Sequence, residues 1–135
     1  MKQNDGLSTD TVEDPTVLCD LARLVHALFD RWGISAEHQV ALLGMAPLEL
    51  LAAGTARPAS APSADALEAV TRARELLAIH RALHLLFPEN ADLRFSWVHR
   101  RNEALGGSTP IAVMLDRGSG GRSQVLTLLE HQCSV

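Results

Sequence analysis

An all-α fold follows from three observations on this 135-residue sequence. Apolar residues recur at three- and four-residue steps in every long segment, the period of an amphipathic helix. Segment borders carry Ser, Thr, Asn, Pro and Gly in positions that start or stop helices. No run alternates apolar with polar residues over a length useful to a strand.

The elements are read in order. Residues 1–15, MKQNDGLSTDTVEDP, are polar and acidic and read as a disordered tail. Pro15 marks a helix start, and Val17, Leu18, Leu21, Leu24, Val25, Leu28, Phe29 and Trp32 form its stripe. Gly33 ends it by taking a left-handed conformation without steric cost. Ser35 is a fitting N-cap for Ala36–Leu43, which stops at Gly44, and Pro47–Ala53 stops at Gly54. Two short helices joined by a Gly-containing turn, after a longer helix, fit a helix-turn-helix arrangement. Residues 55–62, TARPASAP, form a linker.

Ser63 or Asp65 then caps a long helix that ends at Phe87-Pro88, where proline cannot continue the hydrogen-bond ladder. Its expected buried stripe is Leu67, Val70, Ala73, Leu76, Leu77, His80, Leu83, Leu86 and Phe87. Asn90 or Asp92 starts a short helix carrying Leu93, Phe95, Trp97 and Val98. Thr109 as N-cap and Pro110 at the first helical position open a helix over Ile111–Arg117. Gly118–Gly121 is expected to break the chain before a last helix, Arg122–Gln132.

Composition narrows the function classes. The chain is 47% apolar, enough for a core, but only 4% aromatic, so Leu, Ala and Val must fill it. The net charge of −4 falls entirely within residues 1–62, which hold four basic and eight acidic side chains. Neutralising phosphates with Lys and Arg supplies most non-specific nucleic-acid affinity, so that half is poorly equipped for it. Cys19 and Cys133 are too few for a disulfide framework or a zinc ligand set and fit a reducing compartment. With no signal-peptide core and no apolar run of spanning length, the expectation is a soluble, cytoplasmic protein without a membrane partner.

No chemistry of catalysis is visible. His80 and His84 stand one helical turn apart, but position 81 is Arg and no third ligand is near, so core or interface histidines are expected and no metal. Gly106-Gly107 and Gly118–Gly121 lack the spacing of a phosphate loop and read as turns. Ser, His and Asp are scattered without a nucleophile motif, so neither an enzyme nor a cofactor is expected.

The most informative stretch is Ile79–Val125, which carries Trp97, then Asn102, Gly106-Gly107, Thr109-Pro110 and Gly118 before the last helix. This order resembles the toxin-binding domain of Xre/MbcA/ParS-type antitoxins of bacterial toxin–antitoxin pairs, over roughly residues 75–132 and more loosely from residue 17. Arg101 stands where that family usually has proline. The resemblance implies an Xre-like helix-turn-helix packed on a helical toxin-binding domain. It further implies a non-enzymatic role: binding and blocking a RES-type, NAD-consuming toxin, with operator DNA as a second partner.

On this reading the parts are the tail 1–15, a degenerate helix-turn-helix domain 16–62 and a toxin-binding domain 63–135. Trp97, Thr109, Pro110 and Gly118 are structural: core, cap and helix end. Toxin contacts fall to Arg100, Arg101, Asn102 and Gly107 in the loop, and to Arg122, Glu130, His131, Gln132 and Val135 in the last helix and tail. The tail HQCSV has two readings, an insert into the partner's cleft or a frayed helix end.

DNA contacts are restricted to Gln39, Arg57 and Arg72, because PLELLAAG at the recognition position offers only Glu49, which phosphates repel. A helix-turn-helix regulator and a stand-alone adaptor are the alternative functions. A homodimer or larger complex with the toxin is expected from the Leu-rich helix faces.

Overall fold

A computed structural model describes residues 15–55 and 62–134. Among them are seven α-helices: α1 Pro15–Trp32, α2 Ala36–Leu43, α3 Pro47–Gly54, α4 Ala64–Leu86, α5 Ala91–Ser96, α6 Pro110–Arg117 and α7 Ser119–Ser134. Two 3₁₀ turns, Trp97–His99 and Glu103–Leu105, lie between α5 and α6. The one extended pairing among the described residues is an isolated bridge between Asn102 and Ser108. The fold is all-α. The disordered-tail reading of residues 1–15 and the linker reading of residues 55–62 fall largely outside the described residues, as does Arg57.

Local chemistry places the helix ends. The hydroxyl of Ser35 accepts from the His38 amide at 3.2 Å, that of Ser63 from Ala66 at 3.1 Å, and that of Thr109 from Ala112 at 3.2 Å. Asn90 Oδ1 accepts from Leu93 N at 3.0 Å. Each cap satisfies an amide that the first helical turn leaves without a partner, worth about 1 kcal/mol. Gly44 ends α2 in the left-handed region at φ 95°, with its amide donating to Val40 O.

The apolar faces meet in one continuous core. Leu18, Val25 and Phe29 of α1, Leu42 and Leu43 of α2, Leu50 of α3, Leu76 and Leu83 of α4, Met114 of α6, and Val125 and Leu129 of α7 are all buried within it. Burying a side chain of this size stabilises by about 1.5–3 kcal/mol, so the core outweighs the caps many times over. α1 and α3 pack antiparallel and very closely. A methyl group built on Gly54 would stand 2.8 Å from Pro15 O and 2.7 Å from Cys19 Sγ.

α4 is the central helix, with α1 to α3 on one flank and α7 on the other. Its buried set is Ala66, Ala69, Val70, Ala73, Leu76, Ile79, Ala82 and Leu83. Five of the expected stripe residues, Leu67, Leu77, His80, Leu86 and Phe87, are only half-buried. The small residues Ala66, Ala69 and Ala82 take the close-contact positions instead, because helices press on α4 from two directions.

The last helix also departs from expectation. Gly118 turns the chain at φ 61°, but Ser119, Gly120 and Gly121 already belong to α7. A methyl group on Gly121 would overlap the Val113 carbonyl oxygen and stand 2.9 Å from its carbon. The glycine at 121 lets α7 cross directly over the α6 backbone; it breaks nothing. At the other end α7 continues through Ser134, so residues 131–134 are helix and not an extended tail.

Candidate functional site

α7 and α4 run in the same direction, because Arg122 pairs with Glu75 and, farther along both helices, Cys133 Sγ reaches Ala82 O at 3.7 Å. The C-terminal turn of α7 therefore stands beside the last turns of α4. Glu130, His131 and Gln132 are exposed there, and Val135 lies outside the described residues. A helix end carries carbonyls without intrahelical partners and a partial negative charge, so this turn presents acceptors.

Arg122, a sequence candidate for toxin contact, is 4% exposed and its Nε donates to Glu75 Oε1 at 2.6 Å. It is committed to joining α7 to α4 and offers nothing to a partner's surface. Sequence reading could not place it, since Glu75 lies 47 residues away.

The loop Arg100–Gly107 is closed on itself. Asn102 N donates to Ser108 O at 3.1 Å, Gly107 N donates to Asn102 O at 2.9 Å, and Asn102 Oδ1 accepts from Ala104 N at 3.0 Å. Gly106 and Gly107 take φ of 70° and 85°, a conformation that side chains disfavour. Leu105 anchors the loop in the core, while Arg100, Arg101, Glu103 and Gly107 face solvent. Asn102 thus shapes the loop, and the two arginines beside it are what the loop displays. Trp97 and Pro110 are buried, Thr109 caps α6 and Gly118 ends it. A ring nitrogen of His99 lies 2.6 Å from Trp32 O, tying the loop's root to the end of α1.

Next to this root is a cluster that sequence reading did not assemble. The rings of His80 and Phe95 stack, with centroids 5.7 Å apart and planes inclined by 16°. The guanidinium carbons of Arg31 and Arg94 stand 5.1 and 5.4 Å from the Phe95 centroid, within cation–π range. Arg94 Nη1 also donates to Phe87 O at 2.8 Å and Pro88 O at 3.1 Å, closing the chain between α4 and α5.

His80 titrates below its ordinary value of 6.5, chiefly because burial disfavours its charged form, and further because His84, Arg94 and Arg31 repel a proton there. Phe95 had read only as an apolar helix residue; its cationic company comes from Arg31 of α1 and from Arg94, its neighbour in α5. Among the described residues, no group of three or more His, Cys, Asp or Glu is placed to hold a metal ion. No helix among them is long and apolar enough to cross a membrane.

The two DNA-contact candidates among the described residues, Gln39 and Arg72, are engaged in intramolecular contacts. Gln39 Nε2 donates to Ile34 O at 2.9 Å, and Arg72 pairs with Glu68 at 3.0 Å while lying against Gly44. Glu49 Oε1 accepts from Ala46 N at 2.8 Å, capping α3. The most exposed apolar side chain of the α2–α3 pair is Leu48, at 71%.

Residues 82–132, from the last turns of α4 through most of α7, match the family described as the antitoxin Xre/MbcA/ParS C-terminal toxin-binding domain. Trp97, Asn102, Gly106-Gly107, Thr109-Pro110 and Gly118, which carried the resemblance in the sequence, all fall inside this segment. No curated protein matches the chain, and no solved structure does. The match supports an antitoxin role, and a toxin-binding domain implies a cognate toxin as partner.

Proposed function

We propose, from the toxin-binding-domain match over residues 82–132, that this chain is the antitoxin of a type II pair and that it blocks a RES-type, NAD-consuming toxin. The observation that carries the reading is that match, since it falls on the segment whose outer surface displays the α7 terminus and the Arg100–Gly107 loop. The chain acts by occupying its partner's cleft, without a reaction of its own.

The blocking element is the end of α7. A pocket that binds the pyrophosphate of NAD must offer cations and amide donors. The carbonyl end of α7, with its partial negative charge, and the exposed Glu130 carboxylate present the complementary charge. His131 and Gln132 add polar contacts at the rim of that turn. Because the helix runs through Ser134, the insert is a preformed helix end, which loses less entropy on binding than an extended tail. Arg100 and Arg101, exposed on the loop, are further candidate contacts; Arg122 does not take part.

Residues 16–62 are assigned as the degenerate helix-turn-helix domain and 63–135 as the toxin-binding domain, with one core joining them. Operator recognition by the free chain is not favoured. Gln39, Glu49 and Arg72 are engaged in internal hydrogen bonds or an ion pair, and the exposed Leu48 is unsuited to a phosphate surface.

Co-expression with the RES-type product of an adjacent gene tests the reading. The expected outcome is restored growth and a complex that purifies intact. A chain ending at residue 121 should fold poorly, so the sharper variant is Glu130→Lys with Gln132→Lys, which keeps the helix and reverses its charge. Full rescue by that variant would rule out the α7 end as the plug.

A further inference from the structure

The geometry points to a second contact face, along the exposed side of α4, that receives an acidic, apolar-flanked segment of the toxin. This rests on the antitoxin reading and extends the contact beyond residues 82–132 into α1 and the middle of α4.

Arg81, His84 and Leu85 of α4 are exposed, and the half-buried Leu77, one turn before Arg81, packs toward α1. Leu85 is 67% exposed, and across the gap on α1 Leu24 is 56% exposed. Leu24 lines one hollow with Arg31 and Leu85 another with Arg81, so each open apolar side chain stands beside a concave surface and a cation.

Hollows lie on both sides of this ridge. One, of about 220 Å³, is floored by Leu28, Leu77 and Phe95 and bordered by Arg31 and His80. The other, of about 550 Å³, lies between Arg81 and Leu85 of α4 and Leu126 and Glu130 of α7. A ridge with a hollow on each side suits a partner segment that straddles the helix.

The charge of the face selects the occupant. Arg31 and Arg81 are exposed and form no salt bridge among the described residues, and Arg94 spends its hydrogen bonds on carbonyls, leaving its charge uncompensated. Glu130 is the one carboxylate lining either hollow. A chain of net charge −4 that gathers cations on one apolar face complements an acidic surface there. Cations near helix ends are favoured in any fold, and Arg31 and His84 sit in last turns. That preference does not explain the exposed Leu24 and Leu85 beside the two hollows. Nucleic acid suits the face less well, because Phe95 is already stacked against His80 with two guanidiniums around it and has little free surface for a base.

The test uses the full chain and its co-expressed toxin. Arg31→Glu with Arg81→Glu should weaken the complex by roughly 10- to 100-fold and flatten its dependence on salt. Leu85→Ser should weaken it without altering the salt dependence. Arg23→Glu, another charge reversal at an exposed α1 position, should change nothing. Unaltered thermal transitions establish that the variants fold. Equal affinity of the double variant and the natural chain overturns the inference and leaves the antitoxin reading intact. Failure of the natural chain to bind any toxin overturns both. A toxin-free dimer that Leu85→Ser converts to monomers, with toxin affinity unchanged, assigns the face to a second copy of the chain and overturns the inference.

Discussion

Replacing Gly121 by alanine sets a methyl group against the backbone of α6 and should destabilise the protein, whereas the same change one residue earlier should not. In a helix, Gly→Ala ordinarily stabilises by up to about 1 kcal/mol, because glycine loses more backbone entropy on folding. Nothing lies within 4 Å of a methyl group at Gly120, so Gly120→Ala keeps that gain. At Gly121 the methyl would overlap the Val113 carbonyl oxygen and come within 3.0 Å of Met114 Cα, both backbone atoms. Backbone cannot rotate away as a side-chain tip can, so α7 must lift off α6, at about 1–3 kcal/mol net. The two variants should thus differ by about 2–4 kcal/mol with opposite signs. Thermal unfolding by circular dichroism reads this as roughly 3–5 °C per kcal/mol for a chain of this size. Equal melting temperatures for the two variants would refute the close α6–α7 crossing.

Further expectations follow from the same contacts. Glu75→Ala leaves the buried Arg122 guanidinium unpaired and should cost about 1–3 kcal/mol, less than for a fully enclosed pair because Glu75 is 39% exposed. Arg122→Met, which removes the charge and keeps the bulk, should cost less than Glu75→Ala, and urea unfolding of both variants checks the order. His80 titrates below its unfolded value of 6.5 with His84, Arg94 and Arg31 around it, so the unfolded chain takes up its proton first. The stability His80 contributes is present above that value and is lost as pH falls through the window just below it. His80→Gln should flatten that part of the stability–pH curve; an unchanged slope in the variant would contradict the cluster. Asn102→Ala should cost about 0.5–2 kcal/mol by removing the acceptor for Ala104 N, while Asn102→Asp, which keeps it, should be near neutral by thermal melting.

Elements bounded by local chemistry were legible in the sequence. Ser35, Ser63, Asn90 and Thr109 each cap the helix they precede, and Gly44 ends α2 as read. What escaped was set by contacts between distant segments. The α4 stripe was misplaced because two flanks press on one helix, so no single periodic face describes it. Gly120 and Gly121 looked like breakers, since sequence cannot tell a glycine that turns the chain from one that admits a neighbouring backbone. Arg122 was read as a surface contact because its partner, Glu75, sits on another helix. The motif residues from Trp97 to Gly118 were visible as an order of types; that Asn102 closes its loop by three hydrogen bonds required the fold.

In the proposed function, this chain silences its toxin by filling the toxin's nucleotide cleft. Titrating the purified chain into the proposed RES-type toxin while following NAD consumption tests this. NAD consumption should fall to zero at a fixed chain-to-toxin ratio, with excess NAD slowing the onset of inhibition. NAD consumption that continues undiminished at saturating chain, in a complex shown to be intact, would contradict it.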